Sequence, residues 1–528
     1  MAHGRMQTAD AERPRNQGIG MTKLRSMISA GALALALSAP ALMAAPSIVL
    51  AKGTLRLAQT QDLVSLDPIA TSDNASIYAQ LLIFDTLLRP SKDATKLEPG
   101  LAESWKVSDD GMTYSFKLRQ AKFSDGTPVT AGDVAFSLKR AGSDASSWKR
   151  FFSGIDVIET PDDRTVVLKL KKVFTPLLNN LALFSSAILP QKAFEAAGDK
   201  FFEKPIGSGP FSVAAWNKGQ GLSLKKNANY WQAGKPDLDG AELMVIPEGN
   251  SRVLKLQAGE VDAAIDIPLN QLQALGRDGK IKTAVANVFR TDFMLMNTRK
   301  KPFDDLRVRQ ALNYAIDKDG LVKALLYGTG KVSNSPMPPM AYADAGLKPY
   351  AHDLAKAKAL LAEAGYKDGF KTSLLVDSSR PLHRQLGQAL QAALKQIGIT
   401  ADIRLVEGGT HWTTTKAGDY EMAVAYATSD TIDPDQLVGF LLVNPERANA
   451  YHTEWKSERV NELYDKERVT GDGPERGKMF QEIIKLAHDG APSVFLFYPG
   501  TSYAYRSNVE GFEVLPTSNF RLEDVKLK

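Results

Sequence analysis

Residues 371–435 read KTSLLVDSSRPLHRQLGQALQAALKQIGITADIRLVEGGTHWTTTKAGDYEMAVAYATSDTIDPD, and this stretch decides the fold. Ser373–Val376 is a short apolar run that predicts a strand. Leu386, Ala389, Leu390, Ala393, Leu394 and Ile397 then recur at helical spacing, and Gly398 stops them. Ala401–Val406 alternates as a second strand, a helical segment near Thr410–Lys416 follows, and Glu421–Tyr426 makes a third strand. Strand–helix–strand–helix–strand demands right-handed crossovers, so the sheet is parallel or mixed and the class is α/β. Ligands of such sheets bind beyond the carboxyl ends of the strands. Two charged residues stand there: Arg380 after the first strand and Asp430 after the third.

Opposite charges at the ends of neighbouring strands have two readings. They form an interdomain or surface ion pair, worth about 0–1 kcal/mol if exposed. Alternatively, they anchor a zwitterion, the guanidinium gripping a carboxylate and the carboxylate holding an ammonium.

Outside this stretch, Thr113–Arg119 and Arg164–Leu170 alternate as half-buried strands. Asp304 is placed to cap a helix bearing Val308, Ala311, Leu312, Ala315 and Ile316. Asp353 is placed to cap another, which Gly365 stops. The chain of 528 residues predicts two or three domains. No repeat and no Gly/Ser/Pro linker divides it, so the domains are expected to share several chain crossings.

The N-terminal end predicts export. Met21-Thr22-Lys23-Leu24-Arg25 is basic, Met27–Met43 is rich in Ala and Leu, and Val49-Leu50-Ala51 fits a signal-peptidase site. Pro40 and Pro46 interrupt the apolar run, which falls short of the ~20 strongly apolar residues of a spanning helix. Residues 1–20 read as a dispensable extension and 21–51 as a signal peptide cleaved near Ala51. Those 51 residues hold Arg5, Arg13, Arg15, Lys23 and Arg25 against Asp10 and Glu12, so the +5 of the whole chain falls to +2. A balance so close to neutral offers no argument for nucleic acid. The chain has no cysteine, hence no lipid-bearing residue after the signal. The expectation is an unanchored periplasmic monomer.

Signatures of chemistry are missing. Gly207-Ser208-Gly209 lacks the spacing of a nucleophile elbow, and no His-Glu-x-x-His occurs. His352, His383, His411, His452 and His488 lie at least 28 residues apart, so no local metal-ligand pair exists. Asp430, Asp433 and Asp435 are spaced like the start of a calcium loop, but the glycine at position six and the glutamate at position twelve are absent. The reading is a protein that is not an enzyme and carries no cofactor or metal.

Three blocks carry a family resemblance. The first is Leu101-Ala-Glu-Ser-Trp105 with Tyr114-Ser-Phe-Lys-Leu-Arg119 and Phe123-Ser-Asp-Gly-Thr-Pro-Val-Thr-Ala-Gly-Asp133. The second is Pro205-Ile-Gly-Ser-Gly-Pro-Phe211 with Asn227-x-Asn-Tyr-Trp231. The third runs from Pro302-Phe-Asp-Asp-Leu-Arg307 to Asp317. With the Asp430–Asp435 turn they span nearly all of the chain after the signal, and the chain resembles the family 5 extracellular solute-binding proteins, the peptide/nickel/opine group of ABC importers. The motifs lie nearest the dipeptide/oligopeptide branch.

The resemblance implies a two-lobed periplasmic-binding-protein type II fold with interleaved segments. Lobe I would take 52–84, 205–295 and 494–528, a small accessory domain 85–204, and lobe II 296–493. It implies capture of dipeptides or short oligopeptides between closing lobes and delivery to an inner-membrane ABC permease. By the branch's pattern, Asp430 would hold the ligand amine and Arg380, in Arg380-Pro381, the ligand carboxylate. Tyr426 and Ala427 would form a pocket wall. Ala427 replaces the family's tryptophan, so an aromatic wall is missing unless the bulk of Tyr426 has taken its place. Nickel or a metal chelate, an opine-like or sugar-linked amino acid, and, more distantly, peptide hydrolysis are the alternative functions.

Overall fold

The structure, a computed structural model, describes residues 53–277, 279–448 and 453–528. The expected extension and signal segment, and His452, lie outside them. Among the described residues no helix is long and apolar enough to cross a membrane.

The first half opens with β1 (Thr54–Gln59) and α1 (Asn74–Ile83), then β2 (Ala102–Val107), β3 (Thr113–Leu118), β4 (Ile155–Asp162) and β5 (Thr165–Leu170), which form an antiparallel sheet in the order β2-β3-β5-β4. After it come β6 (Phe211–Asn217), β7 (Gly221–Lys226), β8 (Gly240–Val245), β9 (Ala263–Ile265) and β10 (Ile281–Asn287). The second half starts with β11 (Arg290–Met296), α2 (Leu306–Ala315), β12 (Lys331–Val332) and α3 (Leu354–Glu363). The stretch that opened the sequence reading supplies β13 (Lys371–Asp377), α4 (Pro381–Lys395), β14 (Thr400–Val406), α5 (Gly408–Lys416) and β15 (Met422–Thr428). Last come α6 (Asp435–Leu441), α7 (Glu458–Glu467), α8 (Pro474–Gly490), β16 (Ser493–Tyr498) and β17 (Gly500–Arg506).

Two large mixed sheets result. One runs β10-β17-β9-β1-β8-β7-β6, the other β12-β16-β11-β15-β13-β14. The chain passes between them twice, at Val288-Phe289 and at Pro499. β10 pairs with β17 on one side of these crossings, and β11 with β16 on the other. The second sheet therefore takes in β11 and β16, which the sequence reading had given to lobe I as parts of 205–295 and 494–528. Neither strand contains a turn signal, and the ladder changes partner only at the crossings. The β2–β5 sheet shares one continuous apolar core with the first sheet, through Phe116, Leu168, Phe184 and Leu243 among others.

In the second half the expected parallel units appear. β13 pairs in parallel with both β14 and β15. Both faces of this sheet are covered, which is why its strands read as nearly unbroken apolar runs. Alternate residues split between the faces: Leu374, Val376, Met422 and Val424 meet α2, α3 and α4, while Leu375, Ala423 and Ala425 meet α6, α7 and α8. The turns entering β13 and leaving α4 touch backbone to backbone. A Cβ on Gly369 (φ +78°) would stand 1.9 Å from the carbonyl oxygen of Gly398, so only glycine permits this approach.

Helix ends follow the capping rules with one correction. Asp305, not Asp304, caps α2, because Asp305 is the extended residue whose carboxylate accepts the Arg307 amide. Asp353 caps α3, accepting the Lys356 amide. Arg380 is the N-cap of α4 and its side chain makes no capping bond, which leaves its guanidinium for the site below.

Leu386, Leu390 and Leu394 of α4 are wholly buried and anchor the helix that presents Arg380. Leu390→Ala is expected to lower unfolding stability by about 2–5 kcal/mol, read as a shift in the urea midpoint with unchanged slope.

Candidate functional site

β13 and β15 are parallel neighbours, so their carboxyl ends open on the same side of the sheet. Arg380 lies three residues beyond β13 and Asp430 two beyond β15. Both line a cavity of 660 Å³ whose far wall belongs to the first half, with Asn74, Trp148, Arg150 and Phe151. Ligand pockets span about 300–1,000 Å³.

The two charges do not pair with each other. Arg380 faces Asp377 at 3.3 Å, and its Nη2 donates to the Tyr426 hydroxyl at 2.7 Å. The Asp430 carboxylate receives a hydrogen bond from Gln436 Nε2 at 2.9 Å. Gln436 Oε1 accepts the Asp430 amide at 2.9 Å, so one side chain clamps both ends of the residue. Among the described residues no cation stands beside this carboxylate, and burial pushes it up to about 6. The simple ion-pair reading of Arg380 and Asp430 therefore fails, and Asp430 remains a half-buried anion open to a partner.

Tyr426 stiffens the cationic end. Its ring lies between two guanidiniums, Arg290 at 4.4 Å and Arg380 at 4.5 Å from the centroid. Arg290 grips Asp292 with two hydrogen bonds of 2.7 and 2.8 Å. Burial pushes the Asp292 carboxyl up, but the Arg290 guanidinium outweighs it and holds the group below its ordinary value. His383, on the first turn of α4, sits over Asp292 at 3.4 Å and edge-on to Tyr426. Burial holds His383 below the usual imidazole value, so it stays neutral near pH 7.

Ala427 and Tyr426 both line the cavity. As successive strand residues their side chains leave opposite faces: Tyr426 turns to His383, and Ala427 joins the core under α6–α8. The bulk of Tyr426 has therefore not moved into the place of a side chain at 427. Besides Tyr426, the aromatic lining is Trp412 of α5 and Phe440 of α6 with Trp148 and Phe151 of the first half, with Arg150 resting on Phe151 at 4.6 Å and Phe440 at 5.1 Å.

Sequence reasoning missed Arg290, Asp292, Gln436 and the 148–151 wall. Arg290 and Asp292 did carry a signal, two charges at i and i+2 on an otherwise apolar strand. The 148–151 wall carried none, because it reaches the cavity only through tertiary packing. The acidic residues after Asp430 are occupied by arginines. Asp433 takes both Arg476 nitrogens at 2.8 and 2.9 Å, and Asp435 faces Arg468 at 2.9 Å. Among the described residues no group of three His, Asp or Glu is placed to hold a metal.

Comparison with known proteins settles the lineage. The model "Bacterial extracellular solute-binding proteins, family 5 Middle" matches residues 96–449. The chain belongs to this family. It is a solute-binding protein and not an enzyme. The glutathione-binding protein GsiB of Escherichia coli K12 is 31% identical over 515 residues, spanning 96% of this chain and 99% of GsiB. The ABC transporter-associated periplasmic binding protein DppA from Helicobacter pylori, solved with the peptide STSA, is similar with a TM-score of 0.81 at 31% identity, covering 90% of this chain and 98% of DppA. AgaA from A. tumefaciens R10, solved with agropinic acid, gives 0.81 at 30% identity over 90% and 99%. The fold is the two-lobed one of these binding proteins.

Because the Asp430 carboxyl is raised from 3.8 to about 6 on folding, its ionisation favours the unfolded chain. That cost is absent below about pH 4 and complete once pH passes 6. Ligand-free Asp430→Asn is expected to be more stable than wild type at pH 8, by roughly 1–3 kcal/mol, with the difference vanishing by pH 4 in chemical denaturation.

Proposed function

We propose that this protein is the periplasmic receptor of an ABC importer and captures short peptides by both of their charged ends. The observation that carries this is the Asp430 carboxylate, half-buried in the 660 Å³ cavity with no cation beside it among the described residues. A ligand ammonium supplies that missing cation. The guanidinium of Arg380, held over the Tyr426 ring and bonded to its hydroxyl, takes the ligand carboxylate.

GsiB is named for glutathione and the DppA structure holds STSA, both peptides with a free carboxylate, which supports the same ligand class here. Residues 21–51 act as the export signal, and the delivered protein is a soluble monomer. Lobes joined by two short crossings close on the ligand, exclude water from both anchors and strengthen their ion pairs. The ligand binds the closed form better and so shifts the open–closed equilibrium toward it. The closed form then docks on the membrane permease.

Asp430→Ala and Arg380→Ala are each expected to weaken binding of a free peptide by at least about 30-fold, since truncating one member of a buried charge pair costs about 2–5 kcal/mol. Isothermal titration with reduced glutathione, Ser-Thr-Ser-Ala and Ala-Ala checks this. Unchanged affinity in both variants would remove the two-anchor reading.

A further inference from the structure

The turn that carries Asp430 is held from the opposite half of the molecule. Phe174, Thr175 and Asn179 follow β5 in the first half, and all three reach the α6–α8 side of the second sheet. The Thr175 amide donates to the Arg468 carbonyl at 2.8 Å, and its Oγ1 donates to the Thr470 carbonyl at 2.7 Å. Asn179 Nδ2 donates to Asp433 Oδ2 at 3.1 Å. The Arg468 guanidinium lies 4.6 Å from the Phe174 ring centroid.

These are not isolated surface contacts. Asp433 is buried and also takes both nitrogens of Arg476, which binds Glu467 at 2.8 Å in turn. Asp433 closes the turn internally as well, its carbonyl accepting the Thr431 hydroxyl at 3.0 Å. The Thr431 amide donates to Ser429 Oγ at 3.4 Å, and the Ser429 hydroxyl donates to Gln436 Oε1 at 3.0 Å. Gln436 is the side chain that clamps Asp430. A continuous hydrogen-bonded path thus runs from Asn179 to the carboxylate in the cavity. It is separate from the two strand crossings, so it exists only while the halves are together.

We propose that Thr175 and Asn179 are positioning residues for the ligand amine: docking on Asp433 and on 468–470, they set the Asp430 turn and favour the arrangement that binds ligand. The inference rests on the peptide-capture reading for its ligand but not for its geometry. Opening the lobes breaks these bonds and frees the turn, so capture at Asp430 and contact between the halves reinforce one another.

The test uses the full chain with Thr175→Val/Asn179→Ala, and Asn179→Asp as a second variant that sets a carboxylate against Asp433. Affinity for whichever of reduced glutathione, Ser-Thr-Ser-Ala or Ala-Ala the wild type binds is expected to fall on the order of tenfold in the double variant. The ligand-free thermal midpoint should stay unchanged, while amides of 429–436 exchange faster without ligand. Asn179→Asp should weaken binding more than Asn179→Ala alone. Affinity within twofold of wild type, or a loss matched by a lower midpoint with unchanged exchange at 429–436, overturns the proposal. If the wild type binds none of the three probes, the peptide reading fails by itself, and exchange in the ligand-free protein still decides this one.

Discussion

A carboxylate enclosed in a cavity without a cation is the constraint on which the site depends. Among the described residues Asp430 has an amide hydrogen bond from Gln436 and no opposing charge, and burial lifts its proton affinity accordingly. Isolated, such a group is a liability to the fold. Filled by an ammonium, it becomes a strong contact, because the low local dielectric that penalises the bare charge strengthens the pair. Arg380 is prepared differently. A guanidinium has five N–H donors, and the contacts with Tyr426 and Asp377 leave others for a bidentate grip.

The scaffold gives these groups fixed addresses. Tyr426 is pinned between Arg290 and Arg380, and Arg290 is pinned by fully buried Asp292. Buried pairs of this kind contribute little net stability against an apolar equivalent, so their effect here is on geometry. Beneath them, a sheet covered on both faces holds β13 and β15 in parallel register, which places the two anchors side by side at one end. The β2–β5 sheet shares the core of the first half and so moves with it, carrying the 148–151 wall and the Asn179 contact to the Asp433 turn.

Much of this was legible in residues 371–435. Strand–helix alternation, the leucine stripe of α4 and the stops at Gly365 and Gly398 are local signals, and the parallel units they imply appear as expected. Arg380 and Asp430 could be placed because strand ends in α/β sheets are determined by chain order. Two kinds of feature escaped. Lobe boundaries at β11 and β16 are set by a change of pairing partner within apolar strands, which composition does not mark. The cavity's far wall, Trp148, Arg150 and Phe151, comes from a segment more than 200 positions away in the chain, and only packing brings it there. The space beside Ala427 is likewise a matter of which face each strand residue takes, and Tyr426 takes the other.

The most direct test of two-ended capture is calorimetry of the wild-type protein with one binding peptide in three forms: free, N-acetylated and C-amidated. Acetylation should abolish measurable binding, since it removes the ammonium that pairs with Asp430. Amidation should weaken binding strongly by removing the carboxylate for Arg380. Equal affinity for the free and acetylated peptides would contradict the account.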